Sequence, residues 1–291
     1  MGPGSSPPFP AATAVPPLPR LGPPLLEKDI GRLETEVVPR YLTAFSSLAV
    51  SLLLPSEPAS VIVVGSRAGI ESDAIATRLP SASLKGLETS DAALRRATER
   101  VSQTSIAASF EVARGLPTQL PSGGFTHALA VHPICSRAGR KELLLEMTRL
   151  LSPRGQAVVS IPLRGSFPEI VDLVREYALK NDLAKLGEAV DVANANRPTP
   201  ETISDELEAA GFVDVEVDVQ LLAVRFESGA AFLRHAIYEL MVAPDARAAF
   251  DLAPAVMSDA LVYVEMAIKK YWAEGEFELT VNVGAASGRR A

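Results

Sequence analysis

Gly65-Ser66-Arg67-Ala68-Gly69 follows directly on the β-branched run Val61-Ile62-Val63-Val64, and Glu88 ends a shorter second strand candidate, Leu84 to Leu87. Glycines placed just after a buried strand let the backbone approach a ligand closely. A carboxylate at the end of the next strand, about twenty residues on, can accept hydrogen bonds from ribose hydroxyls. The pair points to a nucleoside, while a tight strand-to-helix turn with a solvated or helix-capping Glu88 uses the same residues. A dinucleotide fits less well. Arg67 stands where GxGxxG has its second glycine, and the last glycine falls one position early for a pyrophosphate-binding helix start. No GxxxxGK[ST] phosphate loop occurs in the sequence. A third use of Arg67 is to meet an anionic ligand at the start of the following helix.

A general base would be useful near the end of the Ala128 to Val131 run, where His132 and Cys135 follow Val131. His132 is the first catalytic candidate, with Tyr41 and His235 as weaker ones and Tyr238 beside them, all within reach of the same pocket from flanking helices. None of these forms a fixed constellation, and a histidine in such a place is more often packed or solvated. His127, His132 and Cys135 also invite a metal reading. Residues 127 and 132 differ by an odd number, so on one strand they point to opposite faces, and no metal site is expected. Cys135 then reads as a small buried apolar residue.

These residues need elements to hold them. Residues 1 to 25 carry prolines at 3, 7, 8, 10, 16, 17, 19, 23 and 24, a composition with few backbone donors and little to bury, and they read as a disordered or polyproline II tail. Pro16-Pro17-Leu18-Pro19 has PxxP spacing, which aromatic-lined grooves can read. Residues 26 to 60 form leading helices, one with Leu26, Ile30, Leu33 and Val37 at helical spacing and a second, after Pro39, from Tyr41 to Leu54. From residue 61 strands and helices alternate. Strand candidates are Val61 to Val64, Leu84 to Leu87, Phe110 to Ala113, Ala128 to Val131 and Ala157 to Ile161, with helices near Ile70 to Leu79, Asp91 to Val101, Lys141 to Leu151 and Glu169 to Leu179. Such alternation predicts a parallel sheet covered on both faces. A further helix opens at Thr199-Pro200 and closes at Gly211. Val213, Val215, Val217 and Val219 then alternate with polar residues, and Phe277, Leu279, Val281 and Val283 repeat the pattern. Both predict strands with one buried face, able to pair antiparallel. Between them two amphipathic helices, near Ala230 to Met241 and Ser258 to Trp272, form a cap inserted at about 229 to 273.

The stretch from about Tyr41 to Val283 resembles a class I S-adenosylmethionine-dependent methyltransferase domain. The resemblance rests on a leading helix, Val61-Ile-Val-Val-Gly-Ser-Arg-Ala-Gly69, the acid Glu88, the Leu116-Pro117 step, Phe125 before the fourth strand, and Leu150-Leu151-Ser152-Pro153-Arg154-Gly155 before the fifth. It implies an α/β, Rossmann-like three-layer sandwich, with a seven-stranded, mostly parallel sheet that ends in an antiparallel C-terminal hairpin, and here a small helical cap. It also implies S-adenosylmethionine as cofactor, held by Gly65, Ser66, Arg67, Gly69, Glu88, Arg114 and Val131, with Glu88 on the ribose and the glycine loop under the methionine part. Four positions depart from the family pattern. The acid late in the first strand falls at Val63, the middle loop glycine at Arg67, the acid after the third strand near Arg114, and the acid after the Phe of the fourth strand at Thr126.

Two functions are compatible with this. One is methyl transfer to a small molecule gathered under the cap, which needs alignment of donor and acceptor more than covalent help. The other is a catalytically degenerate domain that acts as an interaction or regulatory module, through the Pro-rich tail and the cap. With 28 Lys and Arg against 35 Asp and Glu, the net charge of −7 offers no general attraction for nucleic acid. A single cysteine excludes an intramolecular disulfide framework and suits the cytoplasm, and no segment reads as a membrane span or a signal peptide.

Overall fold

The computed structural model describes residues 22–291 except positions 103, 105, 114 and 251. Most of the Pro-rich segment and Arg114 therefore lie outside the described residues. At Leu25 the chain is already packed: its side chain is buried and its carbonyl accepts a hydrogen bond from the Ser90 hydroxyl at 2.7 Å.

Seven strands form one sheet: β1 (Ser60–Val64), β2 (Ser83–Glu88), β3 (Ala107–Val112), β4 (Phe125–Val131), β5 (Leu151–Pro162), β6 (Phe212–Phe226) and β7 (Phe277–Arg290). Their order is β3-β2-β1-β4-β5-β7-β6, with β7 antiparallel to both neighbours and all other pairs parallel. The pleat sends Val61 and Val63 into one apolar cluster and Ile62 and Val64 into the other, which is why β1 is apolar throughout. The expected three-layer architecture and C-terminal hairpin are present.

Helices cover both faces: α1 (Glu27–Arg32), α2 (Thr43–Ser51), α3 (Ser72–Arg78), α4 (Asp91–Val101), α5 (Arg137–Leu150), α6 (Pro168–Lys180), α7 (Ala184–Asn196), α8 (Pro200–Ala209), α9 (Gly229–Arg234), α10 (Ala243–Phe250) and α11 (Pro254–Tyr271). Three of these differ from the sequence reading. The break expected at Pro39 does not occur. A π-helical segment, Leu33–Leu42, runs through it and joins α1 to α2, since a widened turn accommodates a residue with no N–H to donate. Helix α7 was not expected, although Leu186, Val190 and Ala193 recur at helical spacing and are buried. The first cap helix is broken at His235, whose backbone is extended (ψ 144°), and the chain resumes as a π turn (Tyr238–Val242) and α10.

The valine stripe of β6 also needs correction. Val215 and Val217 are half-buried under α8, but Val213 and Val219 are 46% and 52% exposed. β6 is the last strand of the sheet, and a bulge between Val213 and Glu216, with Asp214 at φ 52°, bends it. Beyond α8 the odd-numbered face has no helix to cover it, and burial passes to Val224 and Phe226 on the even face, against the cap. No helix among the described residues is long and apolar enough to cross a membrane.

Candidate functional site

The β1 to α3 loop turns sharply at the carboxyl end of the sheet. Gly65 and Gly69 have φ 77° and 68°, and Arg67 and Ala68 share the left-handed region at 42° and 66°, where a side chain is strained. The amides of Gly65 and Ser66 both donate to the Leu87 carbonyl at 3.0 Å, locking the loop to the end of β2. Glu88 is fully buried. The Ser66 hydroxyl donates to its Oε1 and the Ala68 amide to its Oε2 at 3.1 Å, and burial still raises its pKa. The carboxylate that the sequence offers to a ribose is engaged by its own loop. Two residues before Glu88, Gly86 pairs with Phe110 of β3, whose ring lies where a Gly86 Cβ would come within 2.2 Å of it.

Arg67 points inward and is 8% exposed. Its guanidinium donates to the carbonyl oxygens of Val131, at 2.5 Å, and His132, so it bridges the loop to the end of β4. Burial lowers its pKa, opposed chiefly by the charge of Glu71. Glu71 is 1% exposed, neither of its carboxyl oxygens has a hydrogen-bond partner, and burial pushes its pKa up to about 8. Nothing in the sequence distinguished this glutamate from an ordinary first-turn acid; only its burial does.

Of the candidate bases, Tyr41 and His132 are brought together. The Tyr41 hydroxyl lies 2.8 Å from His132 Nε2, and the Phe45 ring meets the imidazole edge-on at 4.6 Å between centroids. Both residues are fully buried, and burial takes the His132 pKa down to about 3. An imidazole so reluctant to take a proton is a poor general base at neutral pH. His235 lies elsewhere, in the cap, against Phe226 and 3.2 Å from an Arg40 nitrogen. Tyr238 donates to Glu265 at 2.9 Å. His127 is at the opposite end of β4, 2.9 Å from the Leu54 carbonyl. Cys135 is half-buried, with its thiol pushed up to about 12 by burial. Among the described residues no group of three or more His, Cys, Asp or Glu is placed to hold a metal ion.

Two ion pairs, one buried and one partly buried, flank this end of the sheet and carry no local sequence signal, because their partners are 48 and 66 residues apart. Arg197 pairs with Asp245, with its guanidinium 5.0 Å from the centre of the Phe167 ring. Arg140 holds both oxygens of Glu206, at 2.6 and 2.9 Å.

S-adenosylmethionine, which the resemblance implies, does not fit these residues as they stand. Ser66, Arg67, Glu88 and His132 are all buried against one another, and the loop position that a backbone would leave open is filled by a guanidinium.

Residues 62–159 match the family model of a methyltransferase domain. No curated protein sequence matches the chain. Among solved structures, the YcgJ protein of Bacillus subtilis is 9% identical, with a TM-score of 0.54, and the match covers 85% of this chain and 98% of that one. A protein from Bacillus halodurans C-125 described as a candidate methyltransferase is 11% identical, with a TM-score of 0.52 over 86% of this chain and 98% of its own. Phosphoethanolamine N-methyltransferase 2 of Haemonchus contortus, solved with phosphomonomethylethanolamine and S-adenosylhomocysteine, is 13% identical with a TM-score of 0.53. That match covers 91% of this chain and 58% of the enzyme, so the chain spans little more than half of its length. At such identities the likeness is one of fold.

Proposed function

We propose that this chain, which has the fold of the class I S-adenosylmethionine-dependent methyltransferases and matches their domain over residues 62–159, keeps the architecture without the methyl-transfer chemistry and works as an interaction or regulatory module. The observation that carries this reading is the Arg67 guanidinium held between the carbonyls of Val131 and His132. In the family that the sequence resembles, a glycine at this loop position lets the backbone pass under the methionine part. S-adenosylmethionine brings a sulfonium and an ammonium, so a buried guanidinium beside them adds like-charge repulsion to steric conflict. The change at Val63, late in β1, removes an acid that would have offset it. On this reading the cap and the Pro-rich segment serve a protein partner, in a reducing compartment such as the cytoplasm.

Methyl transfer to a small molecule under the cap is the second reading, supported by the domain match and by Glu88 standing at the end of β2. It requires Arg67 to leave its carbonyls and Glu88 to release Ser66. Calorimetric titration with S-adenosylmethionine and S-adenosylhomocysteine decides between them. The module reading expects no heat, and no thermal shift at about millimolar ligand; a dissociation constant near roughly 1 μM for both would favour the enzyme.

A further inference from the structure

The solvent face of α5 borders a cleft of about 580 Å³, bounded on its other sides by α8, the end of α7 and α10. That size lies within the range of small-molecule sites. At one end it meets a smaller recess that shares Arg137, Asn196 and Ala249 with it and reaches Cys135 and the Arg197–Asp245 pair.

The charges along these walls do not cancel. Glu206 gives both oxygens to the buried Arg140, and Asp245 is taken by the buried Arg197. Arg137 reaches Glu206 only at 3.6 Å, and Lys141 forms no ion pair among the described residues. Arg137 shares Glu206 with Arg140, so the walls keep a net surplus of positive charge on Arg137 and Lys141, one turn apart, where the first turns of α5 add the positive end of the helix dipole. In a chain of net charge −7 this is a local reversal of sign. One turn further along the same stripe Leu145 is 47% exposed, and with Ala138, Ala209 and Ala210 it makes an apolar wall. From midway between Arg137 and Lys141 to Leu145 the stripe runs about 9 Å, roughly the reach of an extended eight-carbon chain.

We propose that this cleft binds a medium-chain aliphatic carboxylate, its head on Arg137 and Lys141 and its chain along Leu145. The site is separate from the strand-end loop and stands whether or not the chain transfers methyl groups. Octanoate is the probe, titrated by calorimetry and by the shift of its ¹³C-labelled carboxyl carbon, with octanamide and butanoate as comparators that lack the charge or the length. Octanoate should bind the unaltered protein at least about tenfold more tightly than either comparator. The exposed double variant Arg137→Gln/Lys141→Gln should lose about tenfold in octanoate affinity while melting within a few degrees of the parent. Octanamide binding as well as octanoate, no octanoate binding at about 10 mM, or a folded double variant of unchanged affinity would each overturn the proposal.

Discussion

The Tyr41 hydroxyl sits 2.8 Å from Nε2 of His132, tying the helix that precedes the sheet to the carboxyl end of β4. Burial raises the phenol's pKa and lowers the imidazole's, so both partners are neutral and the hydroxyl donates to Nε2. The ring proton is then on Nδ1, which has no partner. Tyr41→Phe should lower stability by about 1–2 kcal/mol in urea unfolding, since it leaves a buried acceptor unpaired. Adding His132→Phe should cost less than the sum of the single changes, because the pair is removed together. Strictly additive losses would show that the contact contributes nothing.

Glu71 makes stability depend on pH. Its folded pKa of about 8 lies above the ordinary 4.5, so between those values the folded chain keeps a proton that the unfolded chain has released. Its contribution is complete below about pH 4.5 and is lost as the pH rises through 8. His132, with a folded pKa of about 3 against 6.5, acts in the opposite sense and loses its contribution as the pH falls from 6.5 towards 3. Above pH 6.5 only Glu71 of the two is changing. Urea melts should show stability falling by a few kcal/mol between about pH 6.5 and 8.5, and Glu71→Gln should flatten that slope. A variant with the parent's slope would place the effect in another group.

Arg67→Gly tests what closes the loop. Glycine accepts the φ of 42° without strain and removes the guanidinium from the carbonyls of Val131 and His132. S-adenosylhomocysteine should then bind at least about tenfold more tightly than it binds the parent, and a further Glu88→Ala should abolish that gain. If Arg67→Gly is as silent as the parent in calorimetry, the guanidinium is not what excludes the nucleoside.

Gly86→Ala should destabilise by about 1–3 kcal/mol, because its Cβ would sit 2.2 Å from the Phe110 ring and 2.8 Å from the Ser66 hydroxyl oxygen. Phe110→Ala in the same chain should restore part of the loss, measured as the denaturation midpoint. No recovery would shift the cause to Ser66 and its bond to Glu88.

The parallel half of the sheet was legible because buried strands between two helix layers are apolar at every residue, as Val61 to Val64 are, and because Gly65 and Gly69 mark the turn that follows. β7 was equally plain, since Phe277, Leu279, Val281 and Val283 are all fully buried. The valines of β6 carry the same period, yet their burial depends on how far α8 extends over an outer strand, which no local pattern encodes. At the site the positions of Ser66, Arg67 and Glu88 could be read from spacing and resemblance. The direction of the Arg67 side chain, the isolation of Glu71 and the Arg197–Asp245 pair could not, because each depends on which distant segments meet at the carboxyl end of β4.

The outer side of β6 is an edge where another chain could extend the sheet, and its exposed Val213, Val219 and Leu221 would favour such growth. Asp214, Glu216 and Asp218 lie along the same strand, and the bulge at Asp214 bends it. Two such edges brought together would repel through their carboxylates and fit poorly, so the charge pattern and the bend act as a guard against fibre-like self-assembly. Replacing those carboxylates with amides would remove half of that guard and leave the bend to act alone.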